Sequence, residues 1–432
     1  MKKAKRITIV SVLLLSVASC LIFTAGGSKK GGEKVPEKPF EGVTIHVAMV
    51  DEPREQKLKQ WSPELEKKTG MKVVVDLLGW EELVTKTLTS SQAKTAEYDV
   101  MLLENLDIPF YTESGWLHDL TPWIERDADE VKPDDFYPFI RDDISTYKGK
   151  WVGMPMHNNS LCFFYRKDIF EEMGFSSPNT WDEAIKYAKA ITQKYSPEMY
   201  GISFMGAADI QLGAEFTSII TAEGGFYYDD NYNSTTNSPA GLRTMKILKE
   251  LTKWAPPGIF GYDLDGNYNA FAQGKAAMCV GWTTGTFYFE DPETSKVMGK
   301  WEVTSMPSGR ALLGTMLLTI SKYSDNKEAA WEWTKWATSP EMEQRLLGIM
   351  ESARLSILED PQIQKEYPNN YAFYVSLENN PALWPMVRGG FEIVDKAAVI
   401  TSEVITGVKT PEEGCKAMDE VVEQVLINYG YK

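Results

Sequence analysis

From Val43 onward, short apolar runs of strand length alternate with stretches whose apolar residues recur every three or four positions. Residues 43–50 (VTIHVAMV), 72–78 (KVVVDLL) and 99–103 (DVMLL) read as strands. Between the first two lies a helical pattern over 54–69, with Leu58, Trp61 and Leu65 on one face and Gly70 as its stop. This strand–helix–strand order predicts an α/β protein with a mostly parallel sheet flanked by helices. Later helices are announced by their caps. Thr180-Trp181-Asp182-Glu183 is a capping box. Ser238-Pro239 opens a helix carrying Leu242, Met245, Leu248 and Leu251, and Thr410-Pro411-Glu412-Glu413 opens the last, with Met418, Val422, Val425 and Leu426 inward. No internal repeat or heptad array interrupts the pattern. Open α/β sheets bind ligands beyond the carboxyl ends of their strands. The loops to inspect are therefore Asp51-Glu52-Pro53, Glu104-Asn105-Leu106-Asp107 and His157-Asn158-Asn159.

The first forty residues follow a different pattern. Lys2, Lys3, Lys5 and Arg6 precede an apolar run from Ile7 to Val17, which reads as a secretory signal and is short for a membrane span. It ends in Val17-Ala18-Ser19-Cys20, which resembles the bacterial lipobox, so Cys20 is the expected lipidation site and 1–20 the expected signal peptide. The alternative is an uncleaved anchor; either places the folded body outside the cytoplasm. Residues 21–40 include GGSKKGGEKVPEKP, rich in Gly, Lys and Pro, and read as a flexible tether.

Composition narrows the functional classes. The 432-residue chain is 43% hydrophobic and 25% charged, the balance of a globular protein, and its length suits two or three packed units. A net charge of −16 repels phosphate backbones and argues against a nucleic-acid partner. Aromatic residues reach 12%, which fits either a large core or flat apolar surfaces for a ligand. The four cysteines, Cys20, Cys162, Cys279 and Cys415, match no zinc spacing and read as buried small hydrophobes apart from Cys20. There is no G-x-S-x-G elbow, P-loop or post-strand G-x-G-x-x-G, and His46, His118 and His157 are scattered. Asp263-Leu264-Asp265-Gly266-Asn267 lacks the full calcium-loop pattern and reads as a turn; Tyr227-Tyr228 reads as a loop. No carboxylate pair is singled out for glycoside hydrolysis. No cofactor, metal site or catalytic group is expected.

From Gly153 the chain reads GMPMHNNSLCFFYRKDIFEEMGF, then PNTWDEAIKYAKAIT. These segments, in order with FAQGKAAM from Phe271 into Gly281-Trp282, NKEAAWE from Asn326 and TSPE from Thr338, resemble extracellular solute-binding proteins of family 1, the sugar-receptor subunits of ABC importers. DVMLLENLDIPFYTESGWL from Asp99 fits the same pattern, and the likeness spans about 43–426. Two positions depart from it: Arg166 follows Tyr165 where Asn or Asp is usual, and Cys162 stands where a smaller residue is usual.

The resemblance implies a two-lobed periplasmic-binding-protein fold of type II, each lobe a mixed, mostly parallel sheet with flanking helices and the ligand held between them. Lobe one is expected over 41–157 and 319–350, and lobe two over 158–318 and 351–432, with crossings near 157–161, 313–318 and 348–356. A sugar offers C–H faces for aromatic rings and hydroxyl rims for carboxylates, amides and Arg, with charged partners the stronger. The resemblance makes Trp282 the first stacking candidate, with Trp384, Phe391 and Trp80 beside it. Polar candidates are Asp51, Glu52, Glu104, Asn105, His157 and Asn158, then Arg354 and Arg388. Trp61, Trp181, Trp331, Trp333 and Trp336 fall on helical patterns and read as core. The function implied is a monomeric, lipid-anchored receptor that captures a carbohydrate and delivers it to a permease encoded elsewhere. Other readings are a receptor for a non-sugar solute, a sensory lipoprotein on the same fold, and an envelope glycoside hydrolase.

Overall fold

The computed structural model describes residues 38–432; the signal segment, Cys20 and most of the tether lie outside the described residues. The tether's last residues already belong to the body. Phe40 N–H donates to Thr69 O at 2.9 Å and its ring packs on the first core.

Among the described residues there are nine strands: β1 (Thr44–Val50), β2 (Lys72–Leu78), β3 (Val100–Glu104), β4 (Thr146–Tyr147), β5 (Lys150–Trp151), β6 (Met154–Arg166), β7 (Met278–Trp282), β8 (Trp301–Ser305) and β9 (Leu313–Ile320). Apart from the small β4–β5 hairpin they form one path, β2-β1-β3-β9-β6-β7, with β8 also on β6. The β2-β1-β3 section is parallel, as the strand–helix–strand pattern predicts. Beyond it the sheet is mixed, because β9 runs antiparallel to β3, and β6 antiparallel to β9, β7 and β8.

The thirteen-residue β6 explains the mixed sheet. Its first half, through Ser160, pairs with β9; from Leu161 it pairs with β7, and from Cys162 also with β8. One continuous strand therefore serves two sheets, and chain direction is fixed across the junction. Two separate large cores lie on either side. One gathers Ile45, Leu58, Leu102, Trp331 and Trp333; the other gathers Phe163, Trp181, Ile219, Leu248 and Val422. A smaller cluster under β6 and β8 holds Phe164, Tyr268, Phe289 and Trp301. The first core also takes in Ala353, Leu358, Phe373 and Leu377, from a stretch the sequence reading gives to lobe two, and Leu106 packs into the second core.

The caps act as the sequence suggests. Thr180, Ser238 and Thr410 accept from Glu183, Gly241 and Glu413 N–H, and Glu413 closes a capping box by accepting from Thr410 N–H. The helix Pro53–Thr69 ends at Gly70, whose φ of +81° is a left-handed value that glycine adopts without a Cβ penalty. Asp263 is a correction: instead of a turn it caps the helix Leu264–Ala272 by accepting from Gly266 N–H. Trp181, Trp331 and Trp333 are fully buried, and Trp61 and Trp336 pack partly buried on the first core. Cys162, Cys279 and Cys415 are buried free thiols.

Candidate functional site

A cavity of about 320 Å³ opens between the two cores, where strand ends from both sides converge. Glu52 follows β1, Glu104 ends β3, and Asp107 closes the turn after it. His157 and Asn159 come from the middle of β6, Gly314 and Met316 from β9, and Trp282 from the end of β7. Gln211 enters from the first turn of the helix Ile210–Ala222, Trp384 from the segment leading into the helix Gly390–Ile405, and Phe391 from that helix's first turn.

The aromatic wall is held in place. Trp282 Nε1–H donates to Gln211 Oε1 at 2.7 Å, and its ring centroid lies 6.1 Å from that of Trp384, tilted by 38°. A Cβ on Gly314 would come within 2.3 Å of Asn159 Oδ1 and 3.2 Å of the Trp282 ring, so only glycine lets both side chains reach this wall. Trp80 and Phe391 stand at the rim, 38% and 43% exposed.

The polar wall is incomplete by itself. Glu104 Oε1, Asn159 Oδ1 and Trp384 Nε1 are buried without a protein partner. Each such atom costs roughly 1–3 kcal/mol unless something pairs with it. The Trp384 N–H faces the Glu104 carboxyl, so these two groups form one polar spot and Asn159 Oδ1 a second, both open to a hydroxyl-rich ligand. Burial pushes the Glu104 carboxyl up to about 8, helped by the charge of Asp107, and pushes Asp107 up to about 7. Near neutrality these carboxyls can both donate and accept, as a hydroxyl does.

Behind Glu52 lies a charged network. Arg54 Nη2 is 2.6 Å from Glu52 Oε2, and its Nε is 3.4 Å from Glu55 Oε2. His157 Nδ1 is 3.3 Å from Glu55 Oε1. Burial pushes Glu55 up to about 8, while burial and the neighbouring Arg54 hold His157 well below its ordinary value. The imidazole is therefore neutral and fixed in orientation. Glu52, Glu55 and His157 place ligand atoms within 4.8 Å of one another, a set that could in principle hold a cation. With Glu55 held protonated near neutrality, the Arg54 guanidinium balances the one remaining negative charge, that of Glu52 at 2.6 Å, so the donor set is charge-compensated without an ion.

Of the residues singled out in the sequence, Glu52, Trp80, Glu104, His157, Trp282, Trp384 and Phe391 line this cavity, and Arg388 lines a second chamber beside it. Four are placed elsewhere. Asp51 is exposed, and its Oδ1 accepts from Gln56. Asn105 is fully buried and lines neither space. Asn158 points away because side chains alternate along β6: its Nδ2 donates to Glu351 O at 3.2 Å, while His157 and Asn159 share the cavity face. Arg354 is a buried structural residue. Its Nε is 3.1 Å from Glu343 Oε1, its Nη2 donates to Thr338 O at 2.6 Å, and it lies over the Phe136 ring. Asp107, Asn159, Gln211 and Thr284 line the cavity without having been singled out. The first two sit in loops flagged from the sequence; nothing in the sequence marks the last two.

Two α/β units joined by shared strands, with an aromatic and polar cavity between them, define a two-lobed solute receptor. The chain belongs to the bacterial extracellular solute-binding protein family, whose model matches residues 51–344. It is 24% identical over 84% of its length to 84% of a probable amino-acid ABC transporter periplasmic-binding protein of Sinorhizobium fredii. It is 25% identical over 81% of its length to 86% of a mannitol-binding protein of Pseudomonas aeruginosa. Among solved structures, an ABC transporter solute-binding protein from Agrobacterium radiobacter in complex with ribitol superposes with a TM-score of 0.78 at 28% identity, over 90% of this chain and all of that one. These relatives are binding proteins. Among the described residues no helix is long and apolar enough to cross a membrane.

Proposed function

We propose that this chain is an extracytoplasmic receptor for a small sugar or polyol, which it captures by lobe closure and presents to an ABC permease. The observation that carries the reading is the pairing of the Trp282–Trp384 wall with unpartnered Glu104 Oε1 and Asn159 Oδ1 in one cavity. Aromatic rings take the C–H faces of such a ligand, and the polar atoms take its hydroxyls. The mannitol-binding and ribitol-bound relatives support the same ligand class. The helices that carry Trp80 and Phe391 pack into the first and second cores respectively, so a ligand touching both favours the closed form through contacts the open form lacks. The extracellular character of the family is consistent with export directed by the first twenty residues and anchoring through a lipidated Cys20. In this role the ligand leaves unchanged and the energy for transport is supplied by other subunits.

The test is calorimetric titration with monosaccharides, pentitols, hexitols and short oligosaccharides, with amino acids as the competing class. Saturable binding to at least one hydroxylated ligand is expected, weakened at least tenfold by Trp282→Ala. The weakening reflects roughly 1.5–3 kcal/mol for burial of a large side chain. Binding confined to amino acids overturns the sugar or polyol reading and leaves the receptor fold intact.

A further inference from the structure

A second chamber, of about 270 Å³, opens from the cleft and shares with it Trp80, Glu104, Leu106, Asp107 and Phe391. Its character is different. The helix Trp80–Ala93 contributes Leu83, Val84 and Leu88, β3 contributes Leu102 and Leu103, and Phe110 closes one side. On this wall the Thr87 and Tyr111 hydroxyls are already used, Thr87 Oγ1 lying 3.2 Å from Tyr111 Oη and donating to Leu83 O at 2.8 Å; Tyr429 lines the chamber elsewhere. Hydroxyls pressed flat against this apolar wall would go unpartnered on that side, a cost that an apolar group does not incur. Charged groups also line the chamber: Arg388 sits over the Phe110 ring at 5.4 Å with its Nε buried and unpartnered, and Glu392 lies 3.8 Å from Lys396.

Protein interiors rarely keep voids much larger than a water molecule, and apolar ones that persist take apolar guests. An engineered apolar cavity of about 150 Å³ binds benzene. This chamber is larger and leads directly into the polar cleft. We infer that the chamber receives an apolar substituent of the ligand, so that the solute carried is an amphipathic glycoside: a hydroxylated head in the Trp282 cleft and an aryl or alkyl group against Leu83, Val84 and Leu102. The inference rests on the sugar or polyol reading of the cleft and narrows it. The guanidinium of Arg388 can then lie over an aryl group as it does over Phe110.

Calorimetric titration of the purified protein with matched methyl and phenyl β-glycosides of glucose, galactose, mannose and xylose, beside mannitol and ribitol, tests this. At least one phenyl glycoside is expected to bind tenfold or more tightly than its methyl partner. Val84→Phe, which fills the chamber from a position outside the polar cleft, should erase that preference and leave methyl-glycoside affinity within twofold. Should that variant not fold, the matched pairs on the natural protein decide by themselves. Equal affinities within every pair, or a preference untouched by Val84→Phe, overturn the inference while the cleft reading stands. Failure of all hydroxylated probes to bind overturns both.

Discussion

Removing the Arg354 guanidinium should cost more stability than any change at the cleft rim. It would leave the Glu343 carboxylate buried 3.1 Å from an emptied position, and Thr338 O without its donor. Breaking a buried pair from one side costs about 3–5 kcal/mol. Arg354→Ala is expected to lower the unfolding free energy by that amount in denaturant titration, with ligand affinity of the folded fraction unchanged within twofold. Glu104 gives a prediction in pH. Its folded pKa, about 8, is above that of a free carboxyl, so between pH 5 and 8 the folded chain holds a proton the unfolded chain has lost. Stability contributed at this site therefore falls as pH rises through that window and levels off above it. Glu104→Gln cannot ionise, so the melting temperature of the natural protein should drop relative to this variant from pH 5 to pH 8; a constant difference would contradict the burial of the carboxyl. At this scale the sequence was legible for side chains at strand ends, such as Glu52, Glu104 and Trp282. It was silent on which of two neighbours faces inward, because the register along β6, irregular between Pro155 and His157, sets whether Asn158 or Asn159 faces the cavity.

Elements position these residues through close helix contacts. The helix Ile210–Ala222 carries Gln211 and crosses the helix Gly390–Ile405 at Gly213, where a Cβ would lie 2.6 Å from Val394 O and 2.6 Å from Val394 Cγ1. A carbonyl fixed in a helix cannot move aside as a side chain can. Gly213→Ala should therefore destabilise the protein by roughly 1–3 kcal/mol in thermal or urea unfolding. Because the shifted helix pulls Gln211 from Trp282, it should also weaken ligand binding. Element boundaries were largely readable, since caps and stops are local chemistry: Thr180, Ser238, Thr410 and Gly70 each act within one turn of themselves. The long β6 was not readable as one strand, because its identity depends on partners up to about 160 residues away in sequence.

At the scale of the whole molecule, the shared strand β6 fixes the two lobes in one topology, and contacts near the cleft tie them together. Glu113 accepts from Tyr147 and Lys148 at 2.7 Å each, and Tyr431, near the carboxyl end of the chain, lies 3.4 Å from the same carboxylate. Tyr431 in turn accepts from Arg388 N–H at 2.8 Å. The two-lobed plan was legible because many weak segment likenesses occur in one order. The assignment of 351–377 was not, since that stretch packs on both sides of the junction and its sequence carries no sign of which core it joins. In the proposed function a hydroxyl-rich solute closes these lobes. Small-angle X-ray scattering of the purified protein during titration with sugars, polyols and amino acids tests it most directly. A saturable fall in radius of gyration with a sugar, polyol or glycoside, and none with amino acids, is the result expected; compaction driven by an amino acid, with every hydroxylated ligand inert, would contradict it.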